Sequence, residues 1–153
     1  MLASGAVPIE GVRVVSRTRV RDERGVFERV YDSDSANEVF SGISVRQINQ
    51  SFTRLAGTVR GLHLQLPPHS EYKIVSCTVG RVFDVAVDLR SQSPTYLNWF
   101  GCVLSEANGL SLLIPPGCAH GVQTLEDDCS ILYVHSAPYA PASEAGISPT
   151  NSD

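Results

Sequence analysis

The sequence predicts an all-β fold, an antiparallel β-sandwich or barrel, from two observations. Apolar and polar residues alternate along most segments, and turn signals rich in Gly and Pro recur about every 8 to 12 residues. The segments between these turns lack the helical crossovers of about a dozen residues that a parallel sheet needs. With 153 residues, 42% of them hydrophobic, the chain is long enough to bury a core as one domain over residues 1–153.

The N-terminal part of the chain predicts a hairpin, a short helix and a strand. Residues 11–32 alternate on both sides of an Asp-Glu-Arg-Gly turn, which is typical of a β-hairpin or of two edge strands. Residues 33–41 begin with side chains that can cap a helix, so one or two helical turns are expected there. Residues 43–54 alternate again, and this strand would carry Gln47 and Asn49 on one face.

The rest of the chain predicts further strands and an irregular end. Residues 58–66 alternate so that His63 and Gln65 share one face. Two apolar runs, KIVSCTV and VFDVAVDL, flank a tight Gly-Arg connection, which indicates a buried hairpin. The last segment, PYAPASEAGISPTNSD, is rich in Pro, Ser and Ala without a periodic pattern, so residues 142–153 are expected to form an irregular tail.

Composition and charge exclude several classes of protein. No run approaches the roughly 18 apolar residues of a membrane span, and the N-terminus lacks a basic region followed by an apolar one, which predicts a soluble cytoplasmic protein. The four cysteines are widely spaced without a CxxC pair, so no disulfide framework is expected. The formal net charge of -4 gives no general attraction to nucleic acid or an anionic membrane. An anionic ligand would need local arginines such as Arg24 in the N-terminal turn, although the arginines of that hairpin also fit a solvated strand face.

Two histidines occupy positions that resemble the two motifs of the cupin jelly roll. His63 lies midway along a strand, and His120 follows a Pro-Pro-Gly turn. Metal-binding cupins supply a His-x-His pair in the first motif, whereas here Gln65 takes the place of the second histidine and leaves Glu71 as the one further candidate ligand. Because an amide oxygen is a poor ligand for a transition metal, we expect no metal. The resemblance implies a cupin-type jelly-roll β-sandwich or barrel with short helical turns.

Four strings identify a closer resemblance. VRGLHLQ, GRVFDVAVDLRSQSPTY, LLIPPGCAHGV and ILYV, supported by DERGVFERVY near the N-terminus, resemble the dTDP-4-dehydrorhamnose 3,5-epimerase family over roughly residues 8–147. The resemblance implies an enzyme that inverts C3, C5 or both of a nucleotide-linked 4-keto-6-deoxy hexose, with no metal or cofactor and with dTDP as the nucleotide. Such a reaction needs a base, an electrophile and an acid placed around the sugar.

The resemblance also implies catalytic roles for four residues. His63 would remove a proton next to the ketone, since an imidazole accepts a proton near neutral pH. Lys73 would stabilise the enolate oxygen, and Tyr133 would return a proton to the opposite face. His120 would support the site beside the sugar or the base.

A second set of residues is expected to bind the substrate. Arg60 would contact the diphosphate through its guanidinium fork, and Arg24 would add a second contact. Phe27 and Tyr139 would flank the nucleotide base. The polar strand residues Gln47, Asn49 and Gln65 complete the set.

The resemblance further implies a homodimer. Residues 1–35 would be exchanged between the two subunits. Arg24 and Phe27 would then serve the neighbouring subunit's site.

Three departures from the family pattern affect these expectations. The family's base histidine is normally paired with an aspartate some tens of residues beyond the tyrosine strand, and the sequence to Asp153 contains no matching segment. We therefore expect slower or more selective proton abstraction, unless Asp84 or Asp88 replaces that group. Glu71-Tyr72 stands where the family usually has Gln-Gly, and Val134 where a lysine often follows the tyrosine, which indicates an altered sugar pocket.

Two other functions remain open at this point. A 3,4-ketoisomerase on the same fold would move a proton along one face of the sugar and would not need a tyrosine acid opposite the histidine. A non-catalytic nucleotide-sugar-binding cupin would bind through Arg60 without exchanging any proton.

Overall fold

Two five-stranded antiparallel sheets, packed face to face, form the body of the protein in a computed structural model that describes residues 7–33 and 42–150. The first sheet has the order β1-β9-β6-β11-β4, the second has the order β12-β5-β10-β7-β8, and β2 and β3 form a separate hairpin. In chain order the strands are β1 (Arg13–Ser16), β2 (Thr18–Asp22), β3 (Gly25–Arg29), β4 (Gln47–Thr53), β5 (Val59–Gln65), β6 (Lys73–Val79), β7 (Arg81–Asp88), β8 (Trp99–Ser105), β9 (Leu110–Ile114), β10 (Cys118–Thr124), β11 (Cys129–His135) and β12 (Glu144–Gly146).

The helical content of the described ranges is one short 3₁₀ turn at Pro141–Ser143. No helix in these ranges is long and apolar enough to cross a membrane. The expected all-β jelly roll with short helical turns is confirmed.

The main core lies between the two sheets. Val75, Leu112 and Ile131 reach it from the first sheet, and Val82 and Leu104 reach it from the second, all fully buried. Removing one such side chain from water stabilises the fold by about 1.5–3 kcal/mol. Because successive residues of a strand point to opposite faces, the neighbours of these residues face away from the core.

The outer face of the first sheet is covered as well. Ile74, Leu113 and Val134 alternate with core residues and form a second buried cluster, which packs against Tyr31 and Ile43. The first sheet is therefore buried on both faces around β6, β9 and β11. This explains why KIVSCTV in β6 reads as a continuous apolar run and not as an alternating one.

The expected hairpin between β6 and β7 is not formed. β6 is hydrogen-bonded to β9 and β11 in the first sheet, whereas β7 is hydrogen-bonded to β8 and β10 in the second. The connection at Gly80 has φ +77°, and a Cβ atom at this position would lie 2.8 Å from Cys129 Sγ. The prediction was wrong because a tight turn between two buried strands has the same sequence pattern whether the chain folds back or crosses to the facing sheet.

The predicted N-terminal hairpin is confirmed. β2 pairs with β3 from Thr18 opposite Arg29 to Asp22 opposite Gly25, and Arg24 lies in the turn. The helical turns expected at 33–41 fall almost entirely on residues 34–41, outside the described ranges.

Part of the expected irregular tail is a strand. β12 pairs with β5, so that Glu144 lies opposite Gln65 and Gly146 lies opposite His63. A Cβ atom at Gly146 would lie 2.6 Å from the carbonyl oxygen of Leu62, so this close approach needs glycine. The prediction was wrong for these residues because three residues carry too little pattern to be detected, and the edge of β5 supplies their hydrogen bonds.

A buried aspartate organises the loop that follows β7. Asp88 is fully buried and accepts hydrogen bonds from Arg90 Nε at 2.8 Å, Ser93 Oγ at 2.6 Å and Thr95 Oγ1 at 2.7 Å. Burial raises the pKa of this carboxyl, but the hydrogen bonds outweigh burial and hold the pKa well below its ordinary value of 3.8.

We expect Asp88→Asn to lower the free energy of unfolding by about 3 kcal/mol near neutral pH, because removing one member of a buried ion pair costs about 3–5 kcal/mol. The folded-state pKa is depressed, so this contribution is present above the ordinary value of 3.8 and is lost as the pH falls below it. Urea unfolding of both proteins at neutral and acidic pH measures the two effects.

The exposed Asp128 offers a matched control, because Asp128→Asn should change the stability by less than about 0.5 kcal/mol. Equal stability of Asp88→Asn and the unsubstituted protein at neutral pH would contradict the prediction.

Candidate active site

A cavity of about 290 Å³ opens between the two sheets. Side chains from both sheets line it, so each sheet forms one wall. The lining residues are Asn49, Gln50, Ser51, Arg60, His63, Lys73, His120, Val122, Tyr133 and His135. All four residues predicted to be catalytic are therefore in one place, together with two of those predicted to bind the substrate, Arg60 and Asn49.

The second sheet contributes the two predicted histidines. His63 on β5 lies directly opposite His120 on β10 in the strand register. Gly61 makes this approach possible, because its φ is +108° and a Cβ atom there would lie 2.5 Å from the carbonyl oxygen of His120. The two imidazoles are held side by side on one wall.

The buried carboxylate on this wall belongs to His120 and not to His63. His120 Nε2 lies 2.9 Å from Asp84 Oδ2, and the Asp84 side chain is fully buried. Its second oxygen, Oδ1, has no partner among the described residues. A carboxylate in this position orients the ring and stabilises an imidazolium.

His63 has no such support from the groups expected to provide it. Asp84 is bonded to His120, and Asp88 is bonded to Arg90 in the loop after β7. Among residues 7–33 and 42–150, no side chain hydrogen-bonds to the His63 ring. Neither candidate replacement for the missing aspartate therefore reaches the predicted base.

The first sheet contributes a lysine and a tyrosine. Lys73 Nζ lies 3.4 Å from the carbonyl oxygen of His63, which connects the two walls. The Tyr133 hydroxyl lies 3.3 Å from Ser51 Oγ, and its ring meets the His120 ring edge-on with the centroids 6.2 Å apart. Burial raises the pKa of Tyr133 above its ordinary value of 10.0. The phenol is therefore protonated at neutral pH and can donate a proton.

Sequence reasoning missed His135 as a cavity residue. It stacks beside Tyr133, with ring centroids 6.1 Å apart, because residues two apart in a strand share a face. That alternation in ILYVH was the signal available in the sequence. Gln50 and Ser51 were also missed. Glu71, considered as a metal ligand and as part of an altered sugar pocket, lies 3.0 Å from His135 Nδ1 and 3.6 Å from Lys73 Nζ.

Three of the predicted substrate-binding residues lie at or beyond the edge of the cavity. Gln65 is buried, and its side-chain amide is bonded to the backbone of His69, Pro138 and Ala140. Gln47 binds Asn49 and the backbone of Tyr139. The exposed ring of Tyr139 donates its hydroxyl to Glu144. The substrate-binding roles of these residues stay predictions.

Two other predicted residues lie on the N-terminal hairpin. Arg24 and Phe27 line a separate surface concavity, in which Arg24 is paired with Asp22 at 2.6 Å. They do not line the His63 cavity of the same chain, so their expected role in a partner's site stays a prediction.

The described part of the chain contains no group of three or more His, Cys, Asp or Glu side chains that could hold a metal ion. The two His–carboxylate pairs of the cavity each contain one imidazole and one carboxylate.

Comparison with known proteins identifies the family. The family model described as dTDP-4-dehydrorhamnose 3,5-epimerase matches residues 6–153. A dTDP-4-dehydrorhamnose 3,5-epimerase from Sinorhizobium fredii is 39% identical over 142 residues, which cover 93% of this chain and 73% of that protein. A dTDP-4-dehydrorhamnose 3-epimerase from Streptomyces niveus is 37% identical over 142 residues, with coverage of 92% and 68%.

A solved structure agrees with this result. The crystal structure of dTDP-4-dehydrorhamnose 3,5-epimerase from Bacillus anthracis, with TDP and PPi bound, superposes with a TM-score of 0.92 at 30% identity and covers 99% of this chain and 86% of that one. The motifs, the two-sheet fold and the histidine-lined cavity are thus all consistent with membership of this family. The chain belongs to the dTDP-4-dehydrorhamnose 3,5-epimerase family and is an isomerase.

Proposed function

We propose that this protein inverts C3, C5 or both of a nucleotide-linked 4-keto-6-deoxy hexose, with dTDP as the nucleotide. The observation that carries the proposal is the distribution of groups over the cavity walls. His63 and His120 lie on the cavity wall formed by the second sheet, and Lys73 and Tyr133 lie on the facing wall formed by the first sheet. Inversion needs proton-transfer groups on both faces of the reacting carbon, and side chains of suitable chemistry on the two facing walls support this proposal.

The reaction proceeds by transfer of two protons through an enolate. A nitrogen of His63 takes the proton from the carbon next to the C4 ketone, and the electron pair of that C–H bond moves into the carbonyl to form the enolate. The ammonium group of Lys73 stabilises the negative oxygen. Tyr133 gives its hydroxyl proton to the opposite face of the carbon, and exchange with solvent restores both residues.

His120 has a positioning role. Its ring contacts Tyr133 edge-on and is held by Asp84, so the pair places a polarisable imidazole between the two proton-transfer groups.

Arg60 binds the diphosphate. Its Nε donates to Thr53 Oγ1 at 3.1 Å, which fixes the guanidinium plane. Within the described ranges its two terminal nitrogens have no hydrogen-bond partner, and they suit phosphate oxygens. The Bacillus anthracis relative, whose structure contains TDP and PPi, supports a nucleotide diphosphate as the ligand.

The decisive experiment follows deuterium from solvent. The protein is incubated with dTDP-4-keto-6-deoxyglucose in D₂O, and NMR reports deuterium at C3 and C5 together with the product stereochemistry. Deuterium at an inverted carbon is the expected result. Exchange without inversion would favour the ketoisomerase, and binding without any exchange would favour the non-catalytic cupin.

We further propose that the protein works as a homodimer in which the N-terminal hairpin packs on the partner. Phe27 and Val20 on the hairpin are 71% and 59% exposed, and Ile48 and Phe52 on the edge strand β4 are 57% and 59% exposed. An isolated two-stranded hairpin is only marginally stable. The exposed backbone groups of an apolar edge strand can pair with another chain.

Phe27→Lys is therefore expected to shift the protein from dimer to monomer, because it places a charge in the apolar contact. Light scattering at several concentrations measures the change. Arg21→Lys, on the same hairpin, is the control and should leave the dimer intact. If Phe27→Lys formed a dimer with an unchanged dissociation constant, this result would contradict the proposal.

A further inference from the structure

A chain of directed hydrogen bonds runs along the first-sheet wall of the cavity. It begins at the backbone N–H of Tyr139, which can only donate, and which binds Gln47 Oε1 at 2.9 Å. Gln47 Nε2 then donates to Asn49 Oδ1 at 2.9 Å. Since the Asn49 oxygen is occupied, its amide nitrogen faces His135 Nε2, at 3.4 Å. The direction of every donor in this chain follows from the first one.

The other end of the chain is a carboxylate. His135 Nδ1 lies 3.0 Å from Glu71 Oε2, and a carboxylate can only accept. His135 therefore carries its proton on Nδ1 and presents the lone pair of Nε2 to the cavity. Both side chains are largely buried, with exposures of 14% for His135 and 6% for Glu71, so the geometry is well constrained.

The acceptor at Nε2 is only weakly satisfied. A donor–acceptor distance of 3.4 Å is beyond the usual range for a good N–H···N or N–H···O bond, so a better donor can replace Asn49. His135 also lies directly opposite Lys73 in the strand register. Under the proposed function Lys73 faces the ketone oxygen, and the donors close to the ketone are the hydroxyl groups of the hexose.

We propose that His135 is a specificity-determining residue that accepts a hydrogen bond from a sugar hydroxyl at Nε2, with Glu71 holding the required tautomer. The proposal rests on the proposed nucleotide-sugar substrate. A site built in this way binds a hexose that carries the hydroxyl more tightly than an analogue that lacks it, because the analogue leaves the imidazole without a good donor.

Two substitutions separate the two nitrogens of the ring. In His135→Asn the side-chain amide can keep the bond to Glu71, but nothing reaches the position of Nε2. In His135→Gln the longer side chain returns an amide oxygen to that position. Binding is measured by calorimetry with dTDP-6-deoxyglucose, which has no ketone and cannot react, and with dTDP alone.

We expect His135→Asn to weaken binding of dTDP-6-deoxyglucose about 5-fold, the size of one neutral hydrogen bond, and to leave dTDP binding within about 2-fold. His135→Gln should restore the sugar-nucleotide affinity to within about 2-fold of the unsubstituted protein. An analogue lacking the recognised hydroxyl should bind equally to all three proteins. Unchanged binding in His135→Asn, or an equal loss for dTDP and the sugar nucleotide, would overturn the inference.

The tautomer can be observed separately. A long-range ¹H–¹⁵N correlation spectrum of the unsubstituted protein, with the His135 signals identified by their absence in His135→Asn, should show protonated Nδ1 and unprotonated Nε2. A proton on Nε2 would overturn the inference. Failure of the proposed function can be distinguished from failure of this inference. The first would appear as a lack of solvent deuterium exchange, whereas the binding and tautomer measurements do not depend on catalysis.

Discussion

Replacing His63 by alanine is expected to reduce epimerisation and solvent deuterium exchange about 10³-fold, because a positioned general base contributes about 10²–10⁴-fold. The side chain lies on the wall facing Lys73 and Tyr133, and within the described ranges no other side chain bonds to its ring. dTDP binding should be retained, because Arg60 and the rest of the cavity are unchanged. Exchange measured by NMR and dTDP affinity measured by calorimetry test both statements.

His69→Ala is the matched control for this substitution. His69 lies in the turn after β5, where its Nδ1 is 2.9 Å from Ser143 Oγ, and it does not line the cavity. The deuterium-exchange rate of His69→Ala should stay within about 3-fold of the rate of the unsubstituted protein. Full exchange activity in His63→Ala would show that another group is the base and would contradict the proposed mechanism.

Tyr133→Phe is expected to separate exchange from inversion. Without the phenol, His63 can still take and return a proton on its own face, so deuterium should enter the substrate while inversion falls about 10²–10³-fold. The stereochemistry and isotope content of the same NMR sample give both rates. Equal losses of exchange and inversion would indicate instead that Tyr133 supports the site without donating the proton.

The pH dependence supplies a second test of this residue. Burial raises the pKa of Tyr133 above 10.0, and an acid works only while it is protonated. On the alkaline side, the inversion rate of the unsubstituted protein should therefore stay level up to the ordinary phenol value and should fall only above it, where Tyr133 loses its proton. The half-exposed Tyr96 is the control, since Tyr96→Phe should change neither rate nor profile.

Much of the site could be predicted from local pattern. The alternation in VRGLHLQ placed His63 on one strand face. The motifs around Lys73, His120 and Tyr133 were specific enough to predict a common pocket, and these side chains do line one cavity in the fold. The hairpin at residues 18–29 also follows from local signals, because its turn residues and alternation are contiguous in the chain.

The pairs that tune the site could not be predicted in this way. Asp84 meets His120 across 36 residues of sequence, and Glu71 meets His135 across 64. Asp84 was a candidate partner for His63, but strand register carries its carboxylate to the other histidine. Alternation assigns a side chain to one face of a strand, whereas its partner depends on which strands are adjacent and at which register.

The sequence by itself determined the all-β class, the positions of most strands and the family, because these depend on alternation, turn residues and contiguous motifs. Only the tertiary structure decided that β6 and β7 belong to different sheets, that residues 144–146 pair with β5, and that the two carboxylates support His120 and His135 and leave the His63 ring without one. The physical reason is that hydrogen bonding between strands and contacts between sheets join residues far apart in the chain, and a local pattern does not specify such partners.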